Sequence, residues 1–279
     1  MAAPKARRNT AIVAAILYLI SLPFLILVLI GNTHHVAVLR DLYFFQLDVS
    51  QIIPIAVANA KLLNSVARSL GLHDFYQVGV WNYCEGYLDT GITYCSPPQT
   101  FYWFNPVEIL VSQLLAGARI ALPSQVLTVL GLLRIGSKVM YAFFMAGTIL
   151  SFILLLGTPL VMRTRWFSLF ISLLGGLAGA ILTVAAAIAT SISVVAKLAL
   201  TAQDQLNIKV NIGVKMFAFM WIGAITTDLA FLLHAAMGCC CKPNRRAQSS
   251  SMGDKSTPPN SSNRLMDMPS FVRRRKANA

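Results

Sequence analysis

Charge is what this chain has least of. Only 12% of its 279 residues are Asp, Glu, Lys or Arg, and ten acids face twenty-three basic residues. A soluble domain of this size needs more charge on its exterior, so a water-facing globular fold is excluded. Histidine is scarce and scattered: His34 and His35 adjoin, His73 stands alone and His234 lies in an apolar run. None has motif spacing to a nucleophile or to carboxylate ligands, and there is no glycine-rich phosphate loop. The pattern therefore predicts no enzyme, no cofactor and no resident metal.

Apolar surface is what the chain has in excess, with 56% apolar residues and a mean hydropathy of +0.65. A helix rising about 1.5 Å per residue needs about 20 apolar residues to cross roughly 30 Å of hydrocarbon. Four runs qualify, and they place transmembrane helices at 10–31, 139–162, 167–196 and 216–238. The first follows Lys5, Arg7 and Arg8, as a secretory signal would. Its apolar run is too long for one and lacks a small-x-small cleavage site before Asn32, so it reads as a retained anchor.

The net charge of +13 could suggest nucleic acid, but its placement points to the membrane instead. Residues 1–9, the turn 163–166 and the tail 239–279 carry fourteen basic residues and two acids. The loops 32–138 and 197–215 carry nine basic residues and seven acids. The strongly basic side is the cytoplasmic one by the positive-inside rule, so both termini are expected there and no nucleic acid is expected as partner.

A loop of about a hundred residues must fold. Leu42 to Val49 and Phe75 to Tyr83 are rich in aromatic and β-branched residues and read as two strands. Ile55, Asn59, Leu62, Leu63, Val66 and Leu70 recur at helical spacing before Gly71, predicting a helix over 54–70. Asn105, Pro106 and Glu108 make a helix start, followed by an apolar face through Ala118 that can cover the strands or lie on the outer leaflet. Pro123 interrupts this pattern, and Val126 to Leu133 resume it towards the second span. The expected fold is mainly α: a four-helix transmembrane bundle, a large extracellular loop with a small antiparallel β layer and helices, and a disordered cytoplasmic tail rich in Ser, Pro and Asn.

Of five cysteines, only Cys84 and Cys95 fall on the outer side. An oxidising compartment makes a disulfide the default there, with metal binding the rival reading. Cys239, Cys240 and Cys241 meet the cytoplasmic membrane surface beside Lys242, Arg245 and Arg246, which suits acylation; reduced thiols or a metal are the alternatives. These basic residues, with Arg273, Arg274, Arg275 and Lys276, are expected to contact anionic inner-leaflet lipid, the rival being a solvated charge run. In the third span, Gly175 with Gly179 and Gly176 with Ala180 form small-x-x-x-small pairs that pack a helix of the same chain or of another copy. Asp228 is an acid well inside the fourth span, where it can bridge helices by hydrogen bonds or serve a transport path. Trp81 and Trp103 suit core packing, an interfacial belt or a contact surface.

Gly79-Val80-Trp81-Asn82-Tyr83-Cys84, then Cys95, then Phe101-Tyr102-Trp103-Phe104-Asn105-Pro106 resembles the pattern of the fungal Sur-seven/PalI family of cortical membrane proteins, related in layout to the animal claudins. Tyr43 to Asp48 looks like that family's Tyr-Phe-x-x-Asp segment. The resemblance runs to about residue 241 and implies a plasma-membrane scaffold of the eisosome type. Such a protein gathers into cortical patches with other copies or other cortical proteins, and is linked to cell-wall integrity, endocytosis and membrane organisation. A PalI-like accessory of ambient-pH signalling is the second implication, although such proteins typically carry a longer tail than the 38 residues after Cys241.

Overall fold

A computed structural model describes residues 5–34, 36–51, 68–69, 71–105, 124–161, 165–201 and 208–240. Four helices are long and apolar enough to cross a membrane: α1 (Lys5–Ile30), α3 (Ser124–Val161), α4 (Arg165–Thr201) and α5 (Val214–Cys240). A single turn, α2 (Ala37–Arg40), follows the first. The helices close a ring in which α1 packs on α5 and α3, and α4 packs on α3 and α5. Exposed Ile, Leu, Val and Phe cover the outside of this ring, as a lipid solvent requires.

The helices α3 and α4 are longer than the predicted spans. Periodicity resuming at Val126 is continuous with the second span, so α3 starts at Ser124, directly after Pro123, and not at residue 139. At 38 residues it runs to roughly 57 Å, well beyond the thickness of hydrocarbon. The surplus turns of α3 and α4 lie at the end where the sheet packs.

That sheet has five strands, not the two read from Leu42–Val49 and Phe75–Tyr83. They are β1 (Phe45–Asp48), β2 (Phe75–Val78), β3 (Tyr83–Tyr87), β4 (Gly91–Cys95) and β5 (Lys209–Ile212), in the order β4-β3-β2-β1-β5. Every neighbouring pair is antiparallel, with Phe45 opposite Val78 on one side and Ile212 on the other. The second run divides at Gly79–Asn82, where the Gly79 N–H donates to the Asn82 carbonyl at 2.9 Å and turns the chain into β3. Strand β5 comes from the short loop 197–215, for which the sequence reading named no strand.

The sheet is no separate domain. Its inner residues Phe44, Phe45, Leu47, Tyr76 and Val78 share one core with the near ends of the helices, among them Val28, Phe144, Ala186 and Met220. A second cluster of Ala14, Tyr18, Leu154, Ala178 and Ala230 fills the opposite half of the bundle. The helices expected over 54–70 and after Asn105 fall outside the described residues, apart from helical Arg68 and Ser69. Pro106, Cys241 and the basic tail residues also fall outside them, as do the side chains of Cys239 and Cys240.

Candidate functional site at the junction of sheet and bundle

The last carbonyls of a helix have no partner within it. At the end of α1, the indole N–H of Trp81 donates to the Leu29 carbonyl at 2.7 Å, and the Thr33 hydroxyl donates to that of Ile30 at 2.6 Å. Asn32 turns the chain in the left-handed region, at φ 61, which asparagine tolerates better than other side chains. It is fully buried, and its amide donates to the Gln77 carbonyl at 3.1 Å, tying the end of α1 to β2. Gly79 lies so near that an added Cβ would stand 3.0 Å from the Asn32 Cβ and 3.1 Å from the Gly31 carbonyl.

The other residues of the quoted pattern extend this latch. Buried Asn82 donates through its side-chain amide to the Ser96 carbonyl at 3.0 Å. Cys84 and Cys95 are directly opposite in the β3–β4 ladder and form a disulfide. The Cys84 sulfur lies 3.1 Å from the Asn32 carbonyl, a packing contact, since a disulfide sulfur has no proton to donate. Trp81 meets Tyr141 of α3 edge-on at 4.8 Å between centroids. Phe104 stands edge-on to Phe45 at 5.6 Å and to Tyr83 at 6.5 Å. Trp103 carries the Arg134 guanidinium 5.6 Å from its ring centre, and Asn105, two residues on, is half-buried. The sequence reading did not single out Asn32; a Gly-Asn pair just after a long apolar run is the helix-ending signal that marks it.

At the far edge of the sheet, Arg68 makes a two-pronged contact with Asp89 at 2.8 and 2.9 Å and lies 4.3 Å from the Tyr87 ring centre. The Arg68 hydrogen bond holds the exposed Asp89 carboxyl below the usual carboxylate range. His73 stacks on the same Tyr87 ring at 4.7 Å, with Nδ1 3.7 Å from the buried Glu85 carboxylate. Burial, with Glu85 and then the Tyr94 phenol adding, holds the Tyr83 hydroxyl above its ordinary pKa and keeps it un-ionised. Within the described residues no three His, Cys, Asp or Glu side chains come together as a metal site.

Inside the bundle, Asp228 of α5 accepts a hydrogen bond from the Thr183 hydroxyl of α4 at 2.8 Å. Its other oxygen lies against Gly179, where an added Cβ would overlap it. One turn away, a Cβ on Gly175 would stand 2.9 Å from the Tyr18 hydroxyl of α1, and one on Gly176 would stand 3.0 Å from the Phe231 ring. The glycines thus make room for two polar side chains of the same molecule, while Ala180 is exposed beside them. We expect Gly179→Ala to lower stability by about 1–3 kcal/mol through overpacking. Gly131→Ala, with open space at its Cβ, should be neutral or up to about 1 kcal/mol stabilising. Thermal midpoints of the two purified variants check the opposite signs.

A second contrast tests the polar contacts of α1. The Ser21 and Thr227 hydroxyls lie 2.8 Å apart, and both reach the Gly223 carbonyl. The Tyr18 hydroxyl and both His234 ring nitrogens are buried with no hydrogen-bond partner among the described residues, the two rings stacking at 6.0 Å. Ser21→Ala should cost about 0.6 kcal/mol and at most roughly 1.7, the average and the maximum measured for hydrogen bonds between membrane helices. Tyr18→Phe should cost nothing, because the deleted hydroxyl makes no bond. Unfolding of both variants in one detergent gives the comparison.

Four membrane-capable helices bearing a disulfide-linked antiparallel sheet at one end define a multi-pass membrane protein whose sheet and bundle are built as one body. The chain belongs to the SUR7/PalI family, whose family model matches residues 10–233. It is 26% identical over 249 residues to SUR7 family protein pun1 of Schizosaccharomyces pombe, covering 75% of this chain and 86% of that relative. It is 25% identical over 177 residues to Protein PUN1 of Saccharomyces cerevisiae, covering 58% of this chain and 67% of that one.

Proposed function

We propose that this protein organises the fungal plasma membrane as an eisosome-type scaffold, acting by lateral association and not by turnover. The observation that carries this reading is the latch: Trp81 fastens the sheet to α1 and α3, Asn32 at the end of α1 holds β2, and Asn82 with the Cys84–Cys95 disulfide braces the sheet itself. A sheet held this firmly is a rigid platform outside the membrane, suited to contacts with neighbouring copies, other cortical proteins or the cell wall. On the cytoplasmic side, acylated Cys239, Cys240 and Cys241 and the basic tail would hold the protein to anionic inner-leaflet lipid. Family membership supports a membrane role of this kind.

The experiment is live-cell imaging of the tagged protein in its own host. Static cortical puncta are expected, and uniform or endomembrane fluorescence would sink the proposal. Growth lost only at alkaline pH on deletion would favour the PalI-like accessory instead. A transport role for Asp228 is disfavoured by its hydrogen bond to Thr183 and its close seat on Gly179, both of which suit a fixed helix bridge.

A further inference from the structure

Where the sheet meets α3 and α4, a small apolar pocket of about 20 Å³ opens. Phe45, Trp103 and Phe104 form its upper wall, and Leu133 and Ser137 of α3 with Ser193 of α4 form its lower one. The lower wall belongs to the membrane-capable stretches Leu130–Pro159 and Phe167–Ala199, near their sheet-side ends. The pocket therefore sits where headgroups give way to acyl chains.

Three cations surround this level. Arg134 and Lys138 follow the pocket residues Leu133 and Ser137 on α3, and Lys197 stands one helical turn beyond Ser193 on α4. Arg134 is exposed and rests on Trp103, a pocket wall, and Lys197 is exposed as well. Several other basic residues at this end have carboxylate partners: Arg40 and Lys215 meet Asp41, and Arg68 meets Asp74 and Asp89, while Lys209 at the edge of the sheet has none among the described residues. Arg134, Lys138 and Lys197 form no ion pair among the described residues. Positive charge left unpaired among the described residues, beside an apolar notch, is complementary to one kind of membrane molecule, an anionic phosphate with hydrocarbon attached.

We propose that this junction is a binding site for an anionic, phosphate-bearing lipid of the sheet-side leaflet. The phosphate lies among Arg134, Lys138 and Lys197, and one acyl chain lies over the mouth of the notch between Trp103, Leu133 and Ser137. The site is independent of patch formation, since a single molecule contains all of it.

The test uses the full chain in phosphatidylcholine nanodiscs with a small fraction of phosphatidylserine bearing a diazirine in one acyl chain. After irradiation, peptide mass spectrometry should find labelling concentrated on segments containing Trp103 and Leu133 to Met140, above that on lipid-facing Leu156 and Leu173. Arg134→Gln, Lys138→Gln and Lys197→Gln should each lower this labelling about fivefold, since a basic residue near the surface contributes roughly 1 kcal/mol. Ser137→Trp, which fills the notch, should remove it. Should Ser137→Trp fail to fold, judged by its disulfide and melting midpoint, the three charge variants decide the matter. Even labelling over all lipid faces, equal labelling by the matching phosphatidylcholine probe, or charge variants that label like wild type would overturn the proposal.

Discussion

Trp81→Ala is expected to destabilise the protein by about 3–5 kcal/mol, the cost of removing a large aromatic side chain from a packed site. Two losses combine. The Leu29 carbonyl at the end of α1 loses its indole donor, and Tyr141 of α3 loses the ring that packs on it edge-on. Helix end, sheet and α3 meet at this one side chain, so the damage should spread beyond local loosening. Trp81→Phe separates the contributions: it keeps an aromatic ring and removes the donor, so it should cost only about 1–3 kcal/mol for the carbonyl left unsatisfied. Thermal unfolding of wild type and both variants in one detergent gives the order. If Trp81→Ala melts like wild type, the latch is not what holds sheet and bundle together.

Replacing Cys84 and Cys95 together by serine should cost about 3 kcal/mol, the chain-entropy value for a loop this short. The two cysteines are 11 positions apart and occupy opposed sites of β3 and β4. The effect has a location as well as a size. Strand β4 is an edge strand whose outward residues are mostly exposed, so with the cross-link gone it has little but its ladder to hold it. Hydrogen exchange should therefore quicken at Gly91–Cys95 first and leave α1 and α5 protected. Equal exchange across the whole sheet would mean that the bridge stabilises the sheet as a unit. The single variants should behave as badly as the double one, because each breaks the same bond.

Some of this fold is plain in the residues. The mainly helical membrane part follows from four apolar runs, since the thickness of a bilayer sets a length that little else in a chain requires. Strands β1 and β2 are legible because Phe, Tyr, Leu and Val cluster there. The pairing of Cys84 with Cys95 is legible because the other three cysteines lie across the membrane on the basic side. Strands β3 and β4 are harder to see. Tyr-Cys-Glu-Gly-Tyr and Gly-Ile-Thr-Tyr-Cys contain glycines that weaken a strand signal, and their ladder carries a register shift at Glu85 and Gly86. The burial of Glu85, beside His73, is likewise absent from local pattern, which marks a lone glutamate as surface.

Local sequence alone determined that this is a four-span membrane protein with a disulfide-bonded loop, because bilayer thickness and the placement of cysteines act on residues one segment at a time. Only the tertiary structure decided that the loop is no appendage. Lys209–Ile212 is a strand because β1, far away in sequence, offers it an open edge. Asn32, Gly79 and Trp81 form a latch because the end of α1 leaves carbonyls that the sheet must satisfy. Gly175 and Gly179 receive Tyr18 and Asp228 because α1 and α5 bring those groups to the α4 surface. Each is a contact between segments distant in the chain, and such contacts exist only after the helices and the sheet have come together.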